Sequence, residues 1–168
     1  MGRRRAVVIA LMSIWVAWTL FMWFAATRSF RTADRLLEKP QPAFARMIQP
    51  LQSPRALLRY VASQVNSTYF HAYGLAQIVI GIILLGFVVW RMPQDKTAVV
   101  LIAVMLGLVV VLAIFVEPQI NRLGGDLSLN PSSSVAPRFW MLHGVYTALD
   151  STKLLAGIVL LVRWIVTA

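Results

Sequence analysis

The chain contains no cysteine, which excludes disulfides, thiolate catalysis and cysteine-ligated zinc and leaves the redox compartment undetermined. Acidic residues are also scarce, with six Asp and Glu against sixteen Lys and Arg, a formal net charge of +10. No paired carboxylates, nucleophilic triad or phosphate-cradling glycine loop can be assembled from them. Charge of either sign is thin, at 13% of residues against 59% hydrophobic, and mean hydropathy is +0.73, outside the range of ordinary soluble domains. The fold class follows from where charge is missing altogether.

Residues 6–26, 70–90 and 97–116 hold no charged side chain, and a fourth apolar run covers 140–162. Each approaches the roughly 20 residues that a helix rising about 1.5 Å per residue needs to cross a hydrocarbon core of about 30 Å. Backbone donors inside lipid must be satisfied within the segment, so spans of this length form helices. The chain therefore reads as all-α, a four-helix transmembrane bundle in one integral membrane domain over residues 1–168. Trp90 and Trp140 sit where spans meet the interface. Arg3, Arg4 and Arg5 ahead of the first run resemble a signal peptide, but the run is too long and ends in Trp23 and Phe24, so it reads as a retained span.

The connections differ in character. Residues 28–39 continue helix-compatible, stopped by Pro40 and Pro42. Ser53 and Pro54 then start a second helix whose Leu57, Leu58, Val61 and Val65 line one face. This long first loop is expected to lie in the membrane interface, and a docking surface for a partner is the functional alternative. The second connection is a tight turn around Pro93, making the second and third spans antiparallel neighbours. The third, 117–138, with Pro118, Gly124, Gly125, Pro131 and Ser132 to Ser134, reads as loop. Asn66-Ser67-Thr68 matches a glycosylation sequon, a pattern that arises often by chance.

The basic residues form no single face, so the expected partners are the lipid bilayer and anionic headgroups, with other membrane subunits as a further class and nucleic acid excluded. Six basic residues lie on the side of the N-terminus and nine on the other. The nine favour cytoplasmic long loops, whereas the triple Arg flanking the first span to insert favours a cytoplasmic N-terminus; the second is preferred, in a bacterial inner membrane.

The fourth span carries the polar residues. His143, Thr147 and Asp150 fall at i, i+4 and i+7 on one helical face, Tyr146 adjoins it, and Lys153 follows Asp150 at i+3. Asp150 lies about 15 Å past Trp140, near mid-bilayer. An unpaired charge there costs about 2.5 to 3.5 kcal/mol on the most lenient scale, so pairing with Lys153 is expected. Gly74, Gln77 and Gly81 form a small and polar stripe on the second span. The pair is either packing glue or part of a functional site.

Both even-numbered spans open with aromatics, then His, then Gly: Tyr69-Phe70-His71-Ala72-Tyr73-Gly74 and Phe139-Trp140-Met141-Leu142-His143-Gly144. His71 and His143 should then lie at one depth on one side, facing the bundle interior. They would ligate a b-type haem, hold a metal ion such as copper together with Glu117 or a Met, or cap backbone carbonyls; no cofactor is the leading expectation.

At these residues the chain resembles a known family. Residues 65–71 (Val-Asn-Ser-Thr-Tyr-Phe-His), 116–120 (Val-Glu-Pro-Gln-Ile) and 139–144 (Phe-Trp-Met-Leu-His-Gly) resemble the transmembrane protein 205 family, also called domain of unknown function 4149. The resemblance covers all four spans in order and spacing. It implies a four-helix membrane domain without established enzymatic activity, linked in some members to metal-drug tolerance and distantly similar to copper-resistance and haem-pathway proteins. His71, Glu117, Pro118, His143 and Gly144 match the pattern. The family tends to have Asn seven residues past the fourth-span His, where this chain has Asp150.

These strands give a non-enzymatic protein that binds or relays an ion or small ligand at a polar site between the second and fourth spans, built from His71, His143, Asp150, Lys153, Tyr146, Thr147, Gln77 and Glu117. An accessory subunit of a larger membrane complex, or a b-type haem protein, are the alternatives.

Overall fold

A computed structural model describes residues 2–130 and 134–167. It is helical nearly throughout, with no strand among the described residues: α1 (Arg3–Glu38), α2 (Pro42–Ile48), α3 (Pro54–Arg91), α4 (Lys96–Val111), α5 (Glu117–Leu129) and α6 (Ala136–Val166). A π-turn, Leu112–Val116, joins α4 to α5 without a break. Four helices, Arg3–Glu38, Pro54–Arg91, Lys96–Leu129 and Ala136–Val166, are long and apolar enough to cross a membrane. The protein is a multi-pass integral membrane protein.

Local chemistry sets most boundaries. α1 runs on through the charged segment to Glu38 before Pro40, since a residue preceding proline disfavours helical geometry. Pro42 and Pro54 sit in the first turns of α2 and α3, where a missing N–H costs nothing. Asp95 caps α4 by accepting from the Ala98 amide at 3.1 Å.

The third connection corrects the sequence reading. Glu117 to Leu129 is not loop but α5, which packs against α3 and α6. The two glycines that read as breakers are contact points instead. A Cβ on Gly124 would stand 3.2 Å from the Phe139 ring, and Gly125 is buried beside Tyr60 and Gln64, so tertiary packing overrides their weak helix propensity. Pro131, Ser132 and Ser133 lie outside the described residues. Pro118 stands two residues past the end of the π-turn; proline cannot donate to the preceding turn and its ring crowds the carbonyl there, which the widened turn relieves. Asn66 of the sequon is a buried mid-helix side chain, accepting from Ser29 at 2.9 Å, so it presents no surface loop for glycosylation.

The long helices form a ring in which α1 neighbours α3 and α6, and the α4–α5 rod neighbours the same two. α3 and α6 therefore face each other across a diagonal. Along its axis the bundle has three zones. At the end holding the N-terminus, Val8, Met12, Trp15, Leu84, Val88, Ile102, Met105, Leu160 and Trp164 form an apolar core. The middle is polar, and the end towards the long loops opens into a cavity.

Candidate functional site: a closed polar core beside an open cavity

The polar middle is assembled from three helices. Asp150 and Lys153 project from α6, Tyr73 and Gln77 from α3, Thr19 and Trp23 from α1, and five of the six are at most 2% exposed, Trp23 being the exception. Lys153 Nζ reaches three acceptors: Asp150 Oδ1 at 2.5 Å, Gln77 Oε1 at 2.5 Å and Tyr73 Oη at 3.3 Å. An ammonium has three protons, so its capacity is filled. Trp23 donates its indole N–H to Asp150 Oδ2 at 2.7 Å. Thr19 donates to the Trp15 carbonyl at 3.0 Å and accepts from Tyr73 and Gln77, both at 3.0 Å. The expected ion pair is present and has its hydrogen bonds completed by neutral groups, the condition under which a buried pair is tolerated. The core is closed, because its donors and acceptors are used on one another.

Toward the long loops, α1, α3, α5 and α6 splay around a cavity of about 550 Å³. Five aromatic rings, Phe30, Phe70, Phe139, Trp140 and Tyr146, line it together with Ser63, Asn66, Asn121, Glu117, His143 and smaller apolar residues. Phe70 forms its floor. That ring meets Tyr146 edge-on at 5.7 Å and Tyr73 edge-on at 6.2 Å, so an aromatic layer separates the cavity from the ion pair. Glu117 is 5% exposed; it accepts from Asn121 at 3.4 Å and lies 4.0 Å from His71 Nδ1. Arg59, on the rim, is committed to Asp34 at 3.0 and 3.3 Å.

The residues expected to share one site thus divide. Gln77, Asp150 and Lys153 meet in the closed core, while Glu117, His143 and Tyr146 line the cavity. Thr147 belongs to neither, being exposed and bonded to the His143 carbonyl of its own helix at 2.8 Å, the usual outlet for a hydroxyl in a span. The two histidines have different surroundings. His71 leaves 73% of its side chain exposed rather than facing inward, whereas His143 stacks on Phe139 with centroids 5.8 Å apart. Gly74 lies close to Ala113 and Glu117, but nothing approaches Gly144, so the repeated opening does not give two equivalent close approaches. Among the described residues no three His, Asp or Glu side chains gather as a metal-binding group.

Sequence reasoning missed Thr19, Trp23 and Tyr73 as members of the core. A signal was available: Thr19 and Trp23 are i and i+4 on one face of α1, and Tyr73 stands one turn before Gln77. Outside the spans, Asp95 ties the α3–α4 turn to the end of α6. Burial raises its carboxyl pKa, but bonds from Trp164 at 3.1 Å, the Ala98 amide and Arg163 at 2.8 Å outweigh this and hold it below the usual 3.8.

No curated protein and no solved structure matches the chain. Residues 52–126, which cover all of α3 and α4 and most of α5, match the family model described as Domain of unknown function (DUF4149).

Proposed function

We propose that this is a non-enzymatic membrane protein that binds a small ligand in the cavity between α1, α3, α5 and α6, with the closed polar core as its rigid floor support. The observation that carries the reading is Glu117: a carboxylate almost wholly removed from solvent, on the wall of an open cavity, with no Lys or Arg within ion-pair distance among the described residues. Buried charge of that kind is expensive unless paired and collects at functional sites. A volume of about 550 Å³, mostly apolar walls with five aromatic rings and a few polar groups are the usual features of a ligand site. The resemblance to the transmembrane protein 205 family agrees with a role without catalysis. A haem shared by both histidines draws no support from a His71 turned outward. With the N-terminus in the cytoplasm, as the arginines ahead of the first span favour, the cavity opens toward the opposite face.

Native mass spectrometry of protein released from a mild detergent tests this. Wild type should carry an adduct of constant mass, and Ser63→Phe, which fills the cavity from α3, should lose it while keeping its helix content. Equal adducts on both proteins, or none on either, would overturn the reading.

A further inference from the structure

The charge and shape of the cavity narrow the class of ligand. Only Arg59 and Glu117 among its lining residues are formally charged side chains. Arg59 is already held by Asp34 through two hydrogen bonds. Glu117 has no comparable partner, since Asn121 gives one hydrogen bond at 3.4 Å and His71 Nδ1 stands 4.0 Å away. The cavity therefore carries one carboxylate with no Lys or Arg partner among the described residues, its nearest basic group being His71 at 4.0 Å, in a lining that includes five aromatic rings. A hard metal cation is a poor fit, because it needs six to eight oxygen ligands or near-octahedral oxygen geometry, and among the described residues Glu117 belongs to no group of three His, Asp or Glu side chains. An anion would meet Glu117 and find Arg59 engaged. Aromatic faces combined with a single carboxylate are instead the arrangement that recognises alkylated ammonium groups. The π-turn Leu112–Val116 immediately precedes Glu117, and such turns, which deform a helix locally, recur at functional sites.

Building on the ligand-binding reading above, we propose that the cavity selects amphipathic ligands bearing an ammonium group, with Glu117 as counter-ion and Phe139, Trp140 and Tyr146 as the faces that seat the cationic head. The same chemistry comes from two sources, a free hydrophobic amine or the amine headgroup of a phospholipid. Either places the ammonium at Glu117 and its apolar part along Phe30 and Phe70.

The test uses the full chain, delipidated in a neutral maltoside detergent, and equilibrium dialysis of radiolabelled benzyltrimethylammonium. Its uncharged isostere neopentylbenzene runs in parallel, both corrected for partition into empty micelles. Wild type should prefer the cation. Glu117→Gln should weaken cation binding by about tenfold or more, the scale of one charge-assisted contact, without changing binding of the isostere. Asp126→Asn, an exposed acid on the same helix that makes the same change in net charge, should leave both unchanged. Should Glu117→Gln fail to fold, Trp140→Leu serves instead, since Trp140 is 61% exposed; it should lower affinity for the cation several-fold more than for the isostere. Displacement by dihexanoyl phosphatidylethanolamine but not by the phosphatidylglycerol analogue supports the proposal with a lipid source. Displacement by neither, with cation binding intact, supports it with a free amine. If cation and isostere bind equally and Glu117→Gln changes nothing, selection for ammonium is wrong while the ligand site stands; if neither binds, both fall.

Discussion

Removing one member of the Asp150–Lys153 pair should cost more than removing both. Their charged atoms are 2.5 Å apart and the side chains are 0% and 1% exposed. At an effective dielectric constant of about 20, two unit charges at that distance attract by about 7 kcal/mol, which sets the scale of the coupling. Asp150→Asn leaves an ammonium with neutral acceptors alone, Gln77, the Tyr73 hydroxyl and the new amide oxygen; Lys153→Met leaves a carboxylate with the Trp23 and Tyr73 donors. Each stranded charge is expected to cost about 3–5 kcal/mol. The double variant has no charge to strand. Its amide keeps an acceptor for Trp23 and its thioether fills most of the lysine volume, so its loss should be about 1–2 kcal/mol. The coupling in the double-mutant cycle is then about 4–9 kcal/mol, a range that brackets the Coulomb figure.

Thermal melts in mild detergent give the order of the four proteins, and unfolding titrations with a denaturing detergent give the free energies. Losses that add, with the double variant the least stable of the four, would refute the claim that these groups neutralise each other.

Further outcomes follow from the same packing. Gly81→Ala puts a Cβ 2.9 Å from the ring of the buried Trp15 and 2.8 Å from Leu106, so it should destabilise by about 1–3 kcal/mol in melts; Gly86→Ala meets open space and should be neutral or stabilising by up to about 1 kcal/mol. Asp95 is held below its unfolded pKa of 3.8, so its stabilising contribution is complete above that value and is lost as pH falls through the folded one; Asp95→Asn should melt at lower temperature than wild type at pH 6, and that gap should start to narrow only below about pH 4 and close once the pH is under the folded value. Phe70→Ala opens the aromatic floor between cavity and ion pair, and admitted water should reduce the Asp150–Lys153 coupling to about 1–2 kcal/mol; an unchanged coupling in that background would show that Phe70 does not keep the core dry.

The four spans were legible because the bilayer demands an unbroken run of apolar residues, and such runs survive any detail of packing. Helix starts at Pro42 and Pro54 were legible for a similar reason, since proline acts on its own backbone. Glu117 to Leu129 was not, because Pro118, Gly124 and Gly125 each argue locally for a loop. What keeps that segment helical is non-local: Gly124 lies under Phe139 of α6, and Gly125 beside Tyr60 and Gln64 of α3. No window along the chain contains both sides of those contacts.

The ion pair was legible for a different reason. Asp150 and Lys153 are three residues apart on one helix, so the expense of charge at that depth and the i+3 geometry together require the contact. Their remaining partners come from α1 and α3, at sequence separations that only the bundle sets, and Thr19 and Trp23 looked like ordinary residues of an apolar span. The division between core and cavity is also tertiary. His143 and Asp150 share a face of α6, yet one borders an opening and the other is sealed, because the start of α5 brings Glu117 to the cavity wall while Phe70 and Tyr146 close the space between. A helical face fixes direction around an axis; whether that direction meets a neighbour or a void depends on how far the helices splay at that depth. The closed core holds α1, α3 and α6 together at mid-span; beyond that tie α1 and α3 stay joined through Ser29–Asn66 and Asp34–Arg59, so the cavity is framed by that joined pair together with α5 and α6.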